Sequence, residues 1–479
     1  MATTRPQAGT VIDGFRIGEM IHKGGMAQLW EVSRDGDSLP LLMKSPILYE
    51  GEDPAAIVSF EMEQMIMPRL KGPHVPRFVA NGDFAVQPYI VMERLPGPTL
   101  LPHLEKLPLP VAEVADIAAK IADALDSLHR QGLVHLDLKP SNIMFRPTGE
   151  AVMIDFGLSR HQDLPDLLAE EFRLPYGTAP YMAPEQVLGV RNDPRSDFFA
   201  LGCLMYFFAT GSRPFGDPRK LKGLKERLWR DPVPPRKLKP DLPPWFQEIV
   251  LRCLETHAGR RHQSAAQLAM DLRNPSQVAL TERAAKLARE SYFAVLRRKS
   301  DGGESFIDRP SEQSGGAADA PIIAVAVDLD DLGDELSRAL RRTVNRILER
   351  APEARLACLN VLKLARLAMD QTFDAEGNSL HVRRLVELKH WTHDMRLPAG
   401  KATFHVLQAI DPAEAILHYA RQNNVDHIVM GARANSTIRK LLGGVSGKVA
   451  AEAPCTVTVV RERQPEERPS PSSSFSVDS

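Results

Sequence analysis

Carboxylate, amide and ammonium side chains are concentrated in one short stretch of the sequence. Residues 135–142 read HLDLKPSN and contain Asp137, Lys139 and Asn142, and the tripeptide DFG begins thirteen residues later at Asp155. Phosphoryl transfer needs such groups, because metal ions must bind the phosphates, a carboxylate must orient the acceptor hydroxyl, and a cation must offset the spreading negative charge. Each requirement therefore has a candidate residue, and these residues in this order are more specific than any one alone.

These motifs resemble the catalytic loop and the metal-binding loop of protein kinases, and the tripeptide APE at 183–185 resembles the segment end of that family. The resemblance implies that Asp137 accepts or orients the hydroxyl proton and that Lys139 neutralises the transferred group. It also implies that Asn142 and Asp155 hold Mg²⁺, with ATP as the phosphoryl donor.

Two charged residues upstream extend the resemblance. Lys44 ends a strand-like run at 39–44, as expected for the lysine on the α- and β-phosphates, and Glu63 lies in a helix-like segment at 60–70. We expect the two side chains to form an ion pair, because a lysine held by a carboxylate keeps its position and its charge. Removal of either partner should reduce transfer without unfolding the domain.

The stretch 21–29 resembles the loop that covers the phosphates in protein kinases. Only Gly24 matches a glycine of the family pattern, because His22 and Ala27 occupy the other two positions; Leu42 also replaces the alanine that usually packs on adenine. These departures affect the expected tightness of ATP binding more than the chemistry, since glycine lets backbone N–H groups approach phosphate closely. The resemblance assigns cofactor contacts here to His22, Gly24, Gly25 and Leu29.

The run at 88–95, PYIVMERL, resembles the strand and hinge that bind adenine through main-chain groups. Met92 takes the gatekeeper position. The resemblance implies that the carbonyl of Glu93 and the amide of Leu95 contact the base.

The lysine two residues after the catalytic aspartate and the sequence GTAPYMAPE at 177–185 are typical of serine/threonine protein kinases. In that family Thr178 bonds both the aspartate and the lysine and shapes the acceptor pocket. Asp197 resembles the buried anchor of the catalytic loop, and Arg261 resembles the arginine that pairs with Glu185.

Loop-activated kinases usually have an arginine before the catalytic aspartate, where it holds a phosphorylated loop residue, but this chain has Leu136. The segment 158–176 contains no threonine, and Ser159 is its only serine. We therefore hypothesise that loop phosphorylation does not activate the protein. Loss of most activity after phosphatase treatment, regained on modification of Ser159 or Tyr176, would contradict this hypothesis.

Residues 321–461 show short apolar runs that alternate with helical periodicity, which predicts a doubly wound parallel sheet of five strands and four helices. We expect strands at 322–327, 356–361, 402–407, 427–430 and 456–460, and helices at 332–350, 379–395, 412–423 and 437–451. The whole chain is therefore expected to be a multidomain protein, with a bilobal α+β kinase fold followed by this α/β domain.

The end of this region, with VDHIVMGARA at 425–434 and LLGGVS at 441–446, is similar to the universal stress protein family. Nucleotide-binding members carry G-x-x-G, nine residues, then glycine and a hydroxyl residue, so that amides cradle phosphates. Here Ala434 replaces the second glycine, the spacer has eight residues, and Gly444 stands in the hydroxyl position. Whether a second nucleotide binds at Asp328, Gly431 and Gly443 is therefore undecided by the sequence. A docking or homodimerising module is the favoured alternative.

Length and composition bound the remaining possibilities. The 479 residues suit two or three domains, and 60 basic against 61 acidic residues leave no field for nucleic acid. The longest uncharged stretch, 198–212, has fifteen residues, fewer than the roughly 20 of a membrane span, and predicts a buried helix. The N-terminus lacks an apolar signal region, which predicts a cytoplasmic protein. We expect a flexible N-terminus at 1–13, the kinase domain at 14–274, a basic amphipathic helix at 275–299 packed on it, a flexible linker at 300–320, the universal-stress-like domain at 321–461, and a disordered tail at 462–479.

The leading hypothesis is a serine/threonine protein kinase that phosphorylates proteins, including itself, in stress signalling regulated through its second domain. The alternative is a pseudokinase or nucleotide-sensing scaffold that recruits partners without turnover. Retention of all six charged or amide residues of the motifs weighs against the scaffold. A small-molecule kinase is a third hypothesis, which would be favoured if sugars or antibiotics consumed ATP while proteins did not.

Overall fold

The chain forms two compact units in the computed structural model, the second beginning at Pro321. The structure describes residues 6–25, 27–47, 54–83, 87–172, 175–288, 295–296, 298–299, 321–330, 333–364, 379–398, 401–432 and 444–461. The predicted linker at 300–320 and the predicted tail at 462–479 lie outside these ranges.

The first unit begins with a six-stranded antiparallel sheet in the order β1-β2-β3-β4-β6-β5. Alternate residues of its central strands, including Trp30, Val32, Leu41 and Met43, are buried in one apolar cluster. The sheet begins at Val11, three residues before the predicted start of the domain at residue 14. The strands are β1 (Val11–Ile12), β2 (Phe15–Lys23), β3 (Ala27–Ser33), β4 (Leu41–Pro46), β5 (Phe78–Asn81) and β6 (Ile90–Glu93).

The rest of the first unit is mainly helical. Helix α5 is buried along almost its whole length and ends at Gly211, whose left-handed φ of 74° suits glycine, so the uncharged stretch is a buried helix as predicted. Two small antiparallel ribbons carry the catalytic segments: β7 (Leu133–Val134) with β10 (Arg160–His161), and β8 (Ile143–Phe145) with β9 (Ala151–Met153). The helices are α1 (Pro54–Ile66), α2 (Val111–His129), α3 (Leu167–Glu171), α4 (Pro184–Val187), α5 (Arg195–Thr210), α6 (Leu221–Leu224), α7 (Pro235–Leu238), α8 (Pro244–Cys253), α9 (Ala265–Arg273) and α10 (Glu282–Ala285).

The predicted continuous helix at 275–299 is wrong. Helix α10 has only four residues, and the chain is extended at Lys286 because polar side chains of α8 compete for its backbone. Gln247, fully buried, donates to the carbonyls of residues 283, 284 and 286, and Glu248, 3% exposed at its side chain, accepts from the amides of residues 281 and 284. We call residues 281–286 the C-terminal strap.

The basic residues of this region contact the rest of the first unit, in agreement with the predicted packing. Arg283 pairs with Glu248 at 3.0 Å and with Glu255 at 2.9 Å. Lys286 and Arg298 both pair with Asp231, at 2.9 and 3.1 Å. Several basic side chains that the predicted amphipathic helix would place in solvent therefore form ion pairs.

The second unit is a five-stranded, all-parallel sheet in the order β13-β12-β11-β14-β15. The predicted fold class and the five predicted strands are confirmed, with ends that differ by up to two residues. One apolar cluster is formed by β11, β12 and β14 with Ile416, Leu417 and Tyr419 of α13. The elements are β11 (Ile322–Ala326), α11 (Asp334–Arg350), β12 (Arg355–Lys363), α12 (Leu380–His393), β13 (Ala402–Ala409), α13 (Pro412–Gln422), β14 (His427–Ala432), α14 (Gly444–Glu452) and β15 (Thr456–Arg461).

Candidate active site

The catalytic loop is anchored by Asp197 at the start of α5. Its carboxylate, fully buried, accepts the amide of His135 at 2.9 Å and the amide of Leu136 at 2.8 Å, and lies 2.9 Å from Nε2 of His129. These bonds hold Leu136 in the left-handed region at φ 64°, a conformation that a leucine adopts only under constraint. The predicted anchoring role of Asp197 is confirmed.

Three side chains converge on the carboxylate of Asp137. Thr178 donates to Oδ1 through its hydroxyl at 2.7 Å and its amide at 3.0 Å, Lys139 donates to Oδ2 at 2.6 Å, and Nδ2 of Asn142 donates to Oδ2 at 3.2 Å and to the main-chain carbonyl of Asp137 at 3.0 Å. The predicted Thr178–Asp137 bond is present. The sequence also predicts a bond between Thr178 and Lys139. The bond that the structure gives the Lys139 ammonium is the one to Oδ2 of Asp137. A side chain with so many donors is fixed in direction, as a group that orients a hydroxyl must be.

Lys44 lies between two carboxylates. Its Nζ is 2.5 Å from Oε2 of Glu63 and 3.0 Å from Oδ1 of Asp155, so the predicted Lys44–Glu63 ion pair is confirmed. Register sets this arrangement, since β4 places Lys44 opposite Leu29 on one side and Ile90 on the other, and Glu63 lies on α1.

The charges of this triad are mutually stabilised. Burial opposes the charge of Lys44, but Asp155 and Glu63 outweigh burial and raise the pKa of Lys44. The ammonium of Lys44 lowers the pKa of Asp155 to about 2. Burial raises the pKa of Glu63, and Lys44 opposes that rise. Lys44 and Asp155 therefore both stay ionised near neutral pH.

Asp155 and Asn142 provide oxygen donors for a hard cation. The Asp155 side chain is 45% exposed, its backbone is left-handed at φ 68°, and the neighbouring Ile154 amide donates to the Asn142 carbonyl at 3.0 Å. Within the described ranges, no group of three or more His, Cys, Asp or Glu side chains could hold a metal. Two oxygen donors and an open side suit Mg²⁺, which keeps waters and takes phosphate oxygens as further ligands.

The predicted phosphate-covering loop is the turn between β2 and β3. Gly24 donates its amide to the carbonyl of Ala27 at 2.9 Å, and His22 pairs with Leu29 across the ladder. A Cβ on Gly24 would lie 3.7 Å from Nε2 of His22, whereas a Cβ on Gly25 would meet nothing within 4 Å. The turn is therefore a tight hairpin in which the His22 ring lies beside the first glycine.

The predicted hinge lies at the end of β6 and just beyond it. Met92 is buried and pairs in register with Leu42, so the two residues that the sequence singles out for the base pocket are cross-strand neighbours. Glu93 is fixed by Arg146, whose guanidinium donates at 2.5 and 2.9 Å and lowers the pKa of that carboxyl. Leu95 is buried. The Arg146 contact is absent from the sequence prediction, because no local pattern relates residues 53 positions apart.

A buried ion pair supports the segment that carries Thr178. Arg261 donates to both oxygens of Glu185, at 2.6 and 2.8 Å, and Ser196 adds a third bond at 2.7 Å. The predicted Arg261–Glu185 pairing is confirmed. Gln186, which the sequence analysis does not identify, donates to the carbonyl of Leu136 at 2.9 Å and so ties this segment to the catalytic loop.

The second unit offers a partial view of its predicted nucleotide site. Asp328 is exposed just beyond β11, Gly431 lies in β14, and Gly443 lies outside the described residues. A Cβ on Gly431 would lie 3.0 Å from Leu336 of α11, so packing alone favours glycine there. This glycine therefore has a structural explanation that involves no ligand.

The family model of the protein kinase domain matches residues 15–273, more than half of the chain. The chain belongs to the protein kinase domain family. Residues 321–461 match the universal stress protein family, in agreement with the second predicted domain. No described helix is both long and apolar enough to cross a membrane.

Curated relatives share the first unit. The serine/threonine-protein kinase PknB of Mycolicibacterium smegmatis is 30% identical over 270 residues, covering 54% of this chain and 42% of the relative. A probable serine/threonine-protein kinase PknB of Corynebacterium glutamicum is 30% identical over 283 residues, covering 57% and 44%. The chain thus spans less than half the length of these relatives. The crystal structure of the Mycobacterium tuberculosis PknI kinase domain is similar at 24% identity and a TM-score of 0.44, covering 56% of this chain and 98% of that one.

Proposed function

We propose that the protein is a Mg·ATP-dependent serine/threonine protein kinase. The observation that carries the proposal is the Asp137 carboxylate, which is held at once by Thr178 and Lys139, beside the closed Lys44–Glu63–Asp155 triad. A scaffold without turnover would have no need to fix a carboxylate so completely. The kinase names of the relatives support the same assignment.

Each residue of the site has a role in this proposal. Asp137 orients the acceptor hydroxyl and takes its proton, and Lys139 lies beside it to offset negative charge on the transferred group. Asn142 and Asp155 would hold Mg²⁺, and Lys44, fixed by Glu63, would contact the α- and β-phosphates. When bound, Mg·ATP supplies the phosphoryl group and neutralises charge on the phosphates.

ATP would lie between the hairpin that joins β2 and β3 and the hinge at the end of β6. The hairpin of His22, Gly24, Gly25 and Leu29 would cover the phosphates. Met92 would border the base, and main-chain groups of Glu93 and Leu95 would bind it. Arg146 stiffens this hinge through the Glu93 side chain.

The test is phosphate transfer from radiolabelled ATP with Mg²⁺ to a generic basic protein, with the full chain. Asp137→Asn should lower transfer at least about 100-fold, the effect expected of a lost general base. Asp116→Asn is the matched control, because Asp116 is an exposed aspartate that pairs with Lys120 across one helix turn, away from the site. Acid hydrolysis of the product should give phosphoserine and phosphothreonine.

Three results would contradict the proposal. Equal transfer by wild type and Asp137→Asn would assign the activity elsewhere. Phosphotyrosine as the main product would overturn the acceptor class. ATP binding without transfer in the wild type would favour the scaffold.

For the second unit we propose a docking or dimerising role. Through this role it would regulate the kinase in stress signalling in the cytoplasm. The family match and the structural reason for Gly431 support a retained fold without a required nucleotide. Sedimentation of the full chain with and without ATP tests this role. A dimer that forms only with ATP would favour the second nucleotide site at Asp328, Gly431 and Gly443.

A further inference from the structure

An acidic side chain in the segment after the metal-binding loop is bound by an arginine beyond the segment end. Nε of Arg191 donates to Oδ2 of Asp166 at 2.8 Å, and both side chains are nearly buried, at 11% and 14% exposure. A second cation is close, since Nε of Arg160 lies 3.9 Å from the same oxygen. We call the Asp166–Arg191 contact the loop pair.

Arg191 stands on a fixed base. The amide of Val190 donates to the carbonyl of Glu185 at 2.9 Å, and the Glu185 side chain is held by the buried Arg261. The loop pair therefore links the segment 158–171 to a part of the fold that is anchored in the core.

The loop pair also reaches the metal-binding loop. Nη2 of Arg191 donates to the carbonyl of Leu158 at 2.9 Å, and the amide of Ser159 donates to the carbonyl of Phe156 at 3.0 Å. The other oxygen of Asp166 accepts the amide of Ala169 at 3.3 Å and caps α3. One arginine thus fixes both the beginning of the segment and the start of its helix.

Phosphate has no comparable place in this segment. Ser159, its only serine, is fully buried and donates its hydroxyl to the carbonyl of His135 at 3.0 Å. Leu136 is also buried, and its amide and carbonyl are bonded to Asp197 and Gln186. A fixed negative charge is already present in Asp166, and a carboxylate between guanidinium groups makes strong, charge-assisted bonds.

We propose that the loop pair holds the segment 158–171 in place without phosphorylation and so positions Asp155 and the segment that carries Thr178. Asp166 and Arg191 are positioning residues in this proposal, which rests on the proposed kinase function. Loss of their charge pairing should affect the rate of transfer more than the affinity for ATP, because neither side chain belongs to the predicted ATP contacts.

The central test is Asp166→Asn in the full chain. Asparagine can still cap α3, so the variant removes the ion pair and keeps the cap. We expect kcat to fall about tenfold, the effect of one lost charge-assisted bond, with the KM for ATP changed less than about threefold. Asp166→Glu should restore most of the rate, and Asp163→Asn, at an exposed aspartate of the same segment, should leave it unchanged.

Coupling between the two partners gives a sharper criterion. Arg191→Gln should lower kcat about as much as Asp166→Asn, and the double variant should be no slower than the worse single variant. Multiplying effects would overturn the proposal. So would an unchanged kcat in Asp166→Asn, or a wild-type enzyme that loses most of its activity on phosphatase treatment.

Hydrogen exchange separates this proposal from the proposed function. Amides of 158–171 should exchange faster in Asp166→Asn than in wild type, while those of α2 stay unchanged. This readout needs no turnover, so failure of wild-type transfer would refute the kinase function alone. Unchanged exchange in 158–171 would overturn the loop pair.

Discussion

Replacement of Glu185 by glutamine tests the buried ion pair that supports the segment carrying Thr178. The substitution keeps the shape and removes the charge, so that Arg261, fully buried, loses its counter-charge and keeps only neutral acceptors, the glutamine amide oxygen and the carbonyls of residues 195, 255 and 256. Breaking a buried pair from one side costs about 3–5 kcal/mol, and the remaining carbonyl acceptors place the expected loss near the lower limit, about 3 kcal/mol. For a unit of this size, the same loss corresponds to roughly 6–12 °C in Tm.

Urea unfolding followed by tryptophan fluorescence measures this loss, because Trp30, Trp229 and Trp245, three of the chain's four tryptophans, lie in the first unit. Glu226→Gln is the control, since its pair with Arg230 is exposed and should contribute less than about 0.5 kcal/mol. The double variant Glu185→Gln with Arg261→Met should lose less than the sum of the single variants. A cost below about 0.5 kcal/mol for Glu185→Gln, or strict additivity, would refute the reasoning.

Two further predictions concern stability in the same unit. Burial lowers the pKa of His262 to about 3, while the unfolded chain keeps an ordinary value near 6.5, so protons bind the unfolded state and stability is lost as pH falls below 6.5. Between pH 7.5 and pH 5 this group should lower the free energy of unfolding by about 2 kcal/mol. His262→Gln should remove that part of the pH dependence. An unchanged dependence of stability on pH would mean that Asp271, 3.2 Å from Nε2, neutralises the charge of His262. Gln247→Leu should cost about 2 kcal/mol in urea unfolding, because it removes a buried donor to three strap carbonyls and the acceptor of the Arg236 amide. The exposed control Gln267→Leu should cost little, and equal losses would show that the strap bonds add no stability.

The catalytic residues could be predicted because each lies in a short motif whose spacing is local. Lys44 and Glu63 are nineteen residues apart, yet their positions on a strand and on the next helix allow their ion pair to be predicted. The loop pair and the Arg146–Glu93 contact join elements with no periodic relation, so tertiary structure alone reveals them. The helix predicted at 275–299 fails for the same reason, since Gln247 and Glu248 of α8 bind backbone groups of residues 281–286.

The C-terminal strap has a mechanical consequence. Gln247 and Glu248 are adjacent on α8, and their bonds to the strap are spread over residues 281–286, so tension on the following chain acts on several bonds together. The strap bonds therefore share the load with the pairs that Lys286 and Arg298 form with Asp231, and the part that the strap carries enters the first unit at α8. Helix α8 packs on α5, which carries Asp197 at its start, so the point of attachment lies one helix away from the anchor of the catalytic loop.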